Sequence, residues 1–164
     1  MSQRAQRGQD GGLSFVSRAP VACALALLAG ACSPGGPKGV PPSQLDTQVG
    51  LAIGDPATCL ILADAATGKV VYRYGSDFNC DRALPACDTP GTLTARTALG
   101  FAARGRLASC PSVPDGSRTV GWAEGRVQST KRNLVFSAVM EGQRALPGHE
   151  MNARLYDAFQ AAGL

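Results

Sequence analysis

Between residues 43 and 54 apolar side chains recur at helical spacing. Leu45, Val49 and Ala52 of SQLDTQVGLAIG share one face, Ser43 is placed to cap the first turn, and Asp55-Pro56 ends the helix. The period then changes. TCLILAD (58–64) is a short continuous apolar run that suits a buried strand. In AATGKVVYRYG, Val71 and Arg73 alternate with Val70, Tyr72 and Tyr74, so a turn at Thr67-Gly68 makes the two runs a hairpin. Helical spacing returns in TLTARTALGFAARGRL (92–107), with Leu93, Thr97, Phe101 and Arg104 near one face and Ala95, Leu99, Ala102 and Ala103 on another. SCPSVPDGSRT (109–119) has the composition of a loop. VGWAEGRV and NLVFSAVMEG read as two further strands around the basic turn QSTKR. After Pro147, the residues Met151, Leu155, Ala158, Phe159 and Ala162 repeat as the inner face of a terminal helix. Helix, hairpin, helix, hairpin, helix predicts an α+β fold: an antiparallel sheet flanked by N- and C-terminal helices.

The first residues follow a different grammar. Arg4, Arg7 and Arg18 precede APVACALALLAGA (19–31), an apolar run too short to span a bilayer comfortably. This reads as a signal peptide over residues 1–31. LLAGAC resembles a lipobox, with Ala29 where the commonest pattern has Leu, and so predicts cleavage before Cys32 and lipid attachment to it. An ordinary signal peptide cut near AGA, or an uncleaved anchor, are the competing readings. The Pro/Gly-rich residues 32–42 cannot bury enough apolar surface to order themselves and are expected to form a tether, leaving 43–164 as the folded part. The expected location is the periplasm, membrane-anchored through the lipid, or soluble there if the cut is an ordinary one.

Composition narrows the chemistry. The 164 residues carry a net charge of +4 with the cations scattered, which excludes a nucleic-acid stripe. Four cysteines lie beyond residue 42: Cys59, Cys80, Cys87 and Cys110. In an exported chain they predict disulfides, and the short step from Cys80 to Cys87 favours pairing these two in a small closed loop. Their spacing is not that of paired CxxC motifs, and His149, the only histidine, is remote, so neither a metal site nor a cofactor is expected.

Two blocks resemble a known family. TCLILADAATGKVVYRYGSDFNCDRALPAC resembles the N-terminal hairpin of class D β-lactamases and their penicillin-binding relatives; TVGWAEGRVQSTKRNLVFSAVMEG, with the helix after it, resembles that family's last strands and closing helix. The resemblance implies a serine acyl-transfer enzyme with a helical subdomain beside the sheet and three motifs: Ser-x-x-Lys, a Ser-x-Val-like triplet and Lys-Thr/Ser-Gly. None of the three stands here. After LPAC the chain reads Asp88-Thr89-Pro90-Gly91, which puts Asp88 in the nucleophile's place and Gly91 in the place of its Lys, and no Ser is followed three residues later by Lys. Neither Thr89 nor Pro90 gives the motif when the match is shifted. Residues 109–119 are too few to replace the helical subdomain. Gly121-Trp122 survives, as part of a site wall and the core. Cys87 has only His149 as a conceivable base, and Asp81 and Asp88 read better as turn and cap residues than as an acid–base pair. The expectation is therefore a β-lactamase-like pseudoenzyme, exported and lipid-anchored. A periplasmic binding or scaffolding module is the alternative, with a protein or a β-lactam- or peptidoglycan-like ligand as partner. A truncated, non-functional gene product is the third.

Overall fold

The computed structural model describes residues 35–129 and 131–164. The signal peptide expected over 1–31 and the lipid attachment expected at Cys32 lie outside these residues. The fold is carried by one unit within residues 32–164.

Helix α1 (Pro42–Ile53) starts one residue before the expected Ser43 cap, with Pro41 in the capping position and Pro42 in the first helical position, where a missing N–H costs nothing. Ser43 lies inside the first turn, and its carbonyl accepts from Thr47 Oγ1 at 2.9 Å. The buried face is Leu45, Val49 and Ile53, with Ala52 at its margin. Order also begins earlier than the tether reading allows. Val40 is only 4% exposed and joins the core, and its N–H donates to Pro37 O at 2.9 Å across a turn.

Strands β1 (Thr58–Asp64) and β2 (Val70–Tyr74) form the expected hairpin. A short helix α2 (Asp77–Asp81), capped by Ser76, leads into the two-residue strands β3 (Leu84–Pro85) and β4 (Thr92–Leu93), which pair with each other. The single helix predicted for 92–107 does not form. Its centre is a short helix α3 (Ala95–Ala98) continued by a 3₁₀ helix (Leu99–Arg104), and its two ends are strands. Gly105, at φ 73, turns the chain out of the 3₁₀ helix, which favours Gly over residues with a Cβ. Strand β5 (Arg106–Pro111) then takes part of what composition marks as loop; the loop proper is only the connection to β6 (Thr119–Arg126). β7 (Leu134–Gly142) and α4 (Gly148–Ala161) follow as expected, with Pro147 capping the last helix.

The five long strands make one antiparallel sheet in the order β2-β1-β7-β6-β5. Strand alternation gives the sheet two buried faces. Leu60 and Leu62 of β1, Phe136, Ala138 and Met140 of β7 and Ala123 of β6 meet α1 and α4 on one side. Cys59, Ile61, Val120, Trp122 and Val139 face the opposite side, where Cys80, Leu84, Ala95 and Ala98 from the α2–α3 segment cover them. Phe136 packs edge-on against Phe159 at 5.3 Å between ring centroids, fixing α4 to the middle of the sheet.

The two disulfides join the second layer to the sheet, and neither is Cys80–Cys87. Cys80 at the end of α2 is bonded to Cys59 in β1, and Cys87 to Cys110 in β5, with Cα–Cα distances of 5.1 and 5.4 Å. The intervening β3 runs extended, so Cys80 and Cys87 meet different strands instead of closing on each other. Two disulfides fit an exported protein that matures in an oxidising compartment. Among the described residues no helix is long and apolar enough to cross a membrane.

Candidate functional site

The segment that the resemblance sets in the nucleophile's place runs from β3 to β4 and is held at three points. Trp122, fully buried in β6, donates its indole N–H to Pro85 O at 2.8 Å. Ala86 N donates to Gly91 O at 3.1 Å, closing a tight turn in which Gly91 has φ 100. Cys87, bonded to Cys110, takes a left-handed φ of 74, a conformation that is uncommon for a residue with a side chain. The disulfide consumes the Cys87 thiol.

Asp88 faces Arg106, whose Nη1 donates to its Oδ1 at 2.9 Å and to Ala86 O at 2.8 Å. The same guanidinium donates through Nε to Glu124 Oε1 at 3.0 Å and lies 5.2 Å from the centroid of the Trp122 ring. Arg106 therefore occupies the space beside Asp88 and ties the turn to β5 and β6. Burial works against its charge, but Glu124 first and then Asp88 outweigh that and hold its pKa above the ordinary value. Glu124 is 2% exposed, and burial pushes its carboxyl above the usual carboxylate range in spite of Arg106. Its Oε2 has no hydrogen-bond partner among the described residues; nor has Ser137 Oγ, which the β6–β7 register places directly opposite.

Beside this network a cleft of about 450 Å³ opens between Asp88, Thr89, Leu93, Phe101, Arg104 and Arg106. Phe101 is half exposed, with the Arg104 guanidinium 5.9 Å over its ring. Thr89 lines the cleft, and Gly91, three residues beyond Asp88, lies in the turn closed by Ala86 and carries no side chain.

Gly121 has a packing reason of its own: a Cβ there would lie 2.0 Å from Leu146 O. One at Gly148 would lie 2.1 Å from Trp122 O, so the entry to α4 rests directly on β6. Asp81 is bound to Arg96 Nε at 2.7 Å, which holds its carboxyl below the usual range. His149 is exposed in the first turn of α4. Cys87 is committed to Cys110, so the nucleophile–base pair considered for Cys87 and His149 has no thiol to work with. Among the described residues no group of three or more His, Cys, Asp or Glu could hold a metal ion.

Arg106 and Glu124 were not singled out in the sequence. Arg106 fell inside the predicted helix, whereas Glu124 could have been found: it stands two residues from Trp122 in a strand and so shares its buried face. A second buried carboxylate, Glu141, was missed for the same reason. It accepts from Ser112 Oγ at 2.7 Å and Arg118 Nε at 2.7 Å, and pairs with Arg82 at 2.9 Å. Arg118 above all holds its carboxyl down at about 2, against the opposing effect of burial. This cluster locks the β5–β6 turn and the end of α2 onto β7. The chain matches no family model, no curated protein and no solved structure.

Proposed function

We propose that this is an exported, lipid-anchored protein of class D β-lactamase-like (penicillin-binding) design that performs no acyl transfer. The observation that carries the reading is the state of the nucleophile segment. Asp88 is ion-paired with Arg106, Cys87 is spent in a disulfide and Gly91 stands where the base would be. Acyl transfer requires an activated nucleophile, a base within hydrogen-bond reach and donors for the developing oxyanion. A carboxylate is a poor nucleophile toward a lactam, and its acyl product would be a labile anhydride. The five-stranded antiparallel sheet with α1 and α4 on one face supports the family half of the reading, since the resemblance implies a sheet with N- and C-terminal helices. The disulfides and the LLAGAC sequence support export and anchoring.

The cleft beside Asp88 favours one second reading, a binding module that holds a ligand without turning it over. It combines an apolar wall, Leu93 and Phe101, with an exposed cation, Arg104.

Labelling with a fluorescent penicillin followed by intact mass tests the first reading. The expected result is no adduct, no nitrocefin turnover, and a mature chain that begins at an acylated Cys32. A covalent penicillin adduct, or turnover lost in Asp88→Asn, overturns the inactive assignment; an unmodified N-terminus overturns the anchor alone. Saturable thermal stabilisation by a penicillin or a muropeptide, without an adduct, would select the binding module.

A further inference from the structure

We propose that the mature domain sits directly on an anionic phospholipid surface, through a basic rim formed by Lys38, Lys131 and Arg132. The inference rests on the lipid-anchor reading of Cys32 given above. Its starting point is how little chain separates Cys32 from the fold. The turn from Pro37 to Val40 is closed by a backbone hydrogen bond, and both Pro37 and Val40 are buried. From Cys32 to Pro37 is five peptide steps, at most about 18 Å when fully extended. That is about twice the screening length of about 8 to 10 Å at physiological salt. An acyl group on Cys32 would therefore confine the first turn of the domain to within about two screening lengths of the headgroups at full extension, and closer whenever the connection is less than extended.

The residues at this end of the molecule match that surface in sign. Arg132 gathers three segments: its Nη2 donates to Lys38 O at 3.1 Å and its Nη1 to Gly163 O at 2.8 Å. Arg126 follows closely, donating to Asn133 Oδ1 at 3.1 Å. The described residues of 35–41, 126–133 and 160–164 include Lys38, Arg126, Lys131 and Arg132 and no Asp or Glu. Among the described residues none of these four cations is in a salt bridge; Arg126 meets an amide oxygen and Arg132 two carbonyls, which leave their charge uncompensated. One carboxylate lies at this end of the sheet, Asp64, which the register sets opposite Leu134 and whose Oδ1 accepts from the Thr67 hydroxyl and the N–H groups of Ala66 and Thr67; Asp77 and Asp81 lie on α2 and Glu141 at the far end of β7. A free phosphate would need converging donors, which Lys38 and Lys131, both exposed, do not supply; an extended anionic plane needs only a rim of one sign.

Each basic residue at such a surface contributes roughly a fivefold gain in association, so the three together amount to about a hundredfold. The test uses the full-length protein as isolated from membranes, reconstituted into vesicles of phosphatidylcholine alone or with about one quarter phosphatidylglycerol, and followed by hydrogen exchange. On the anionic vesicles, amides of residues 36–40 and 131–133 are expected to exchange severalfold more slowly than on neutral ones, with the difference lost at about 0.5 M salt. The double variant Lys38→Glu/Lys131→Glu, which leaves the structural contacts of Arg132 in place, should melt like the parent and lose the protection. Equal exchange on both vesicle types, or protection that survives high salt or the double variant, overturns the proposal. Intact mass separates the two readings. If Cys32 carries no acyl group the anchor fails by itself, and cosedimentation of the same chain with the two vesicle types then decides the rim: binding to the anionic vesicles alone retains it, and no binding overturns it.

Discussion

Arg106 is the residue on which the most structure converges. It bridges an exposed carboxylate and a buried one, covers the Trp122 ring and holds a carbonyl of the turn it faces. Removing one member of a buried ion pair leaves an uncompensated charge, whereas removing both leaves an apolar gap. Arg106→Met is therefore expected to cost about 3 to 5 kcal/mol in urea unfolding, and the double variant Arg106→Met/Glu124→Leu to recover at least half of that. Equal losses in the single and double variants would show that Arg106 acts by packing alone. Glu141 behaves oppositely. Its carboxyl is held at about 2, below an ordinary value of 4.5, so it binds fewer protons folded than unfolded in this range. Its contribution is complete above about pH 4.5 and is lost as pH falls toward 2. Arg82 and Arg118 are about two-fifths exposed, which screens the pair, so about 2 kcal/mol is expected. Glu141→Gln should lose that amount at neutral pH and flatten the acid limb of the stability curve, as read by urea unfolding at stepped pH.

Among elements, β1, β2, β6, β7 and α4 were legible because each carries its own period: alternation or a continuous apolar run for the strands, Met151, Leu155 and Phe159 for the helix. The stretch 92–119 was not. Ala, Leu and Arg at 93–107 satisfy a helical spacing, yet the last two residues of that stretch pair with Ala123 and Glu124, and sheet pairing overrides local propensity. The cysteine partners were illegible for a related reason. Nearness in sequence says nothing about which strand a side chain meets once β3 has carried the chain across Trp122. Non-reducing peptide mapping should find Cys59 with Cys80 and Cys87 with Cys110. Each closes a loop of about twenty residues, so replacing either pair by alanine should cost roughly 3 kcal/mol. Of the candidate site, Asp88 and Gly91 were named from the resemblance alone, while the guanidinium that pairs with Asp88 comes from a strand that was not foreseen.

For the molecule as a whole, the sheet order has a consequence for how the domain comes into being. β7, the last strand made, is the central one: β1 and β2 lie on one side of it, β5 and β6 on the other. A chain made from its N-terminus presents two hairpins with no strand yet available to join them, and each hairpin keeps an apolar strand edge open until residue 142 has been added. Folding therefore waits for β7, and the exposed edges of β1 and β6 are what a holding chaperone would meet in the interval. A chain stopped after residue 133 should show no cooperative unfolding transition by circular dichroism, because its two hairpins share no ladder; a sharp transition in that fragment would show that the second layer alone can unite them. The last strand to arrive is the keystone, and its completion sets the clock for the fold.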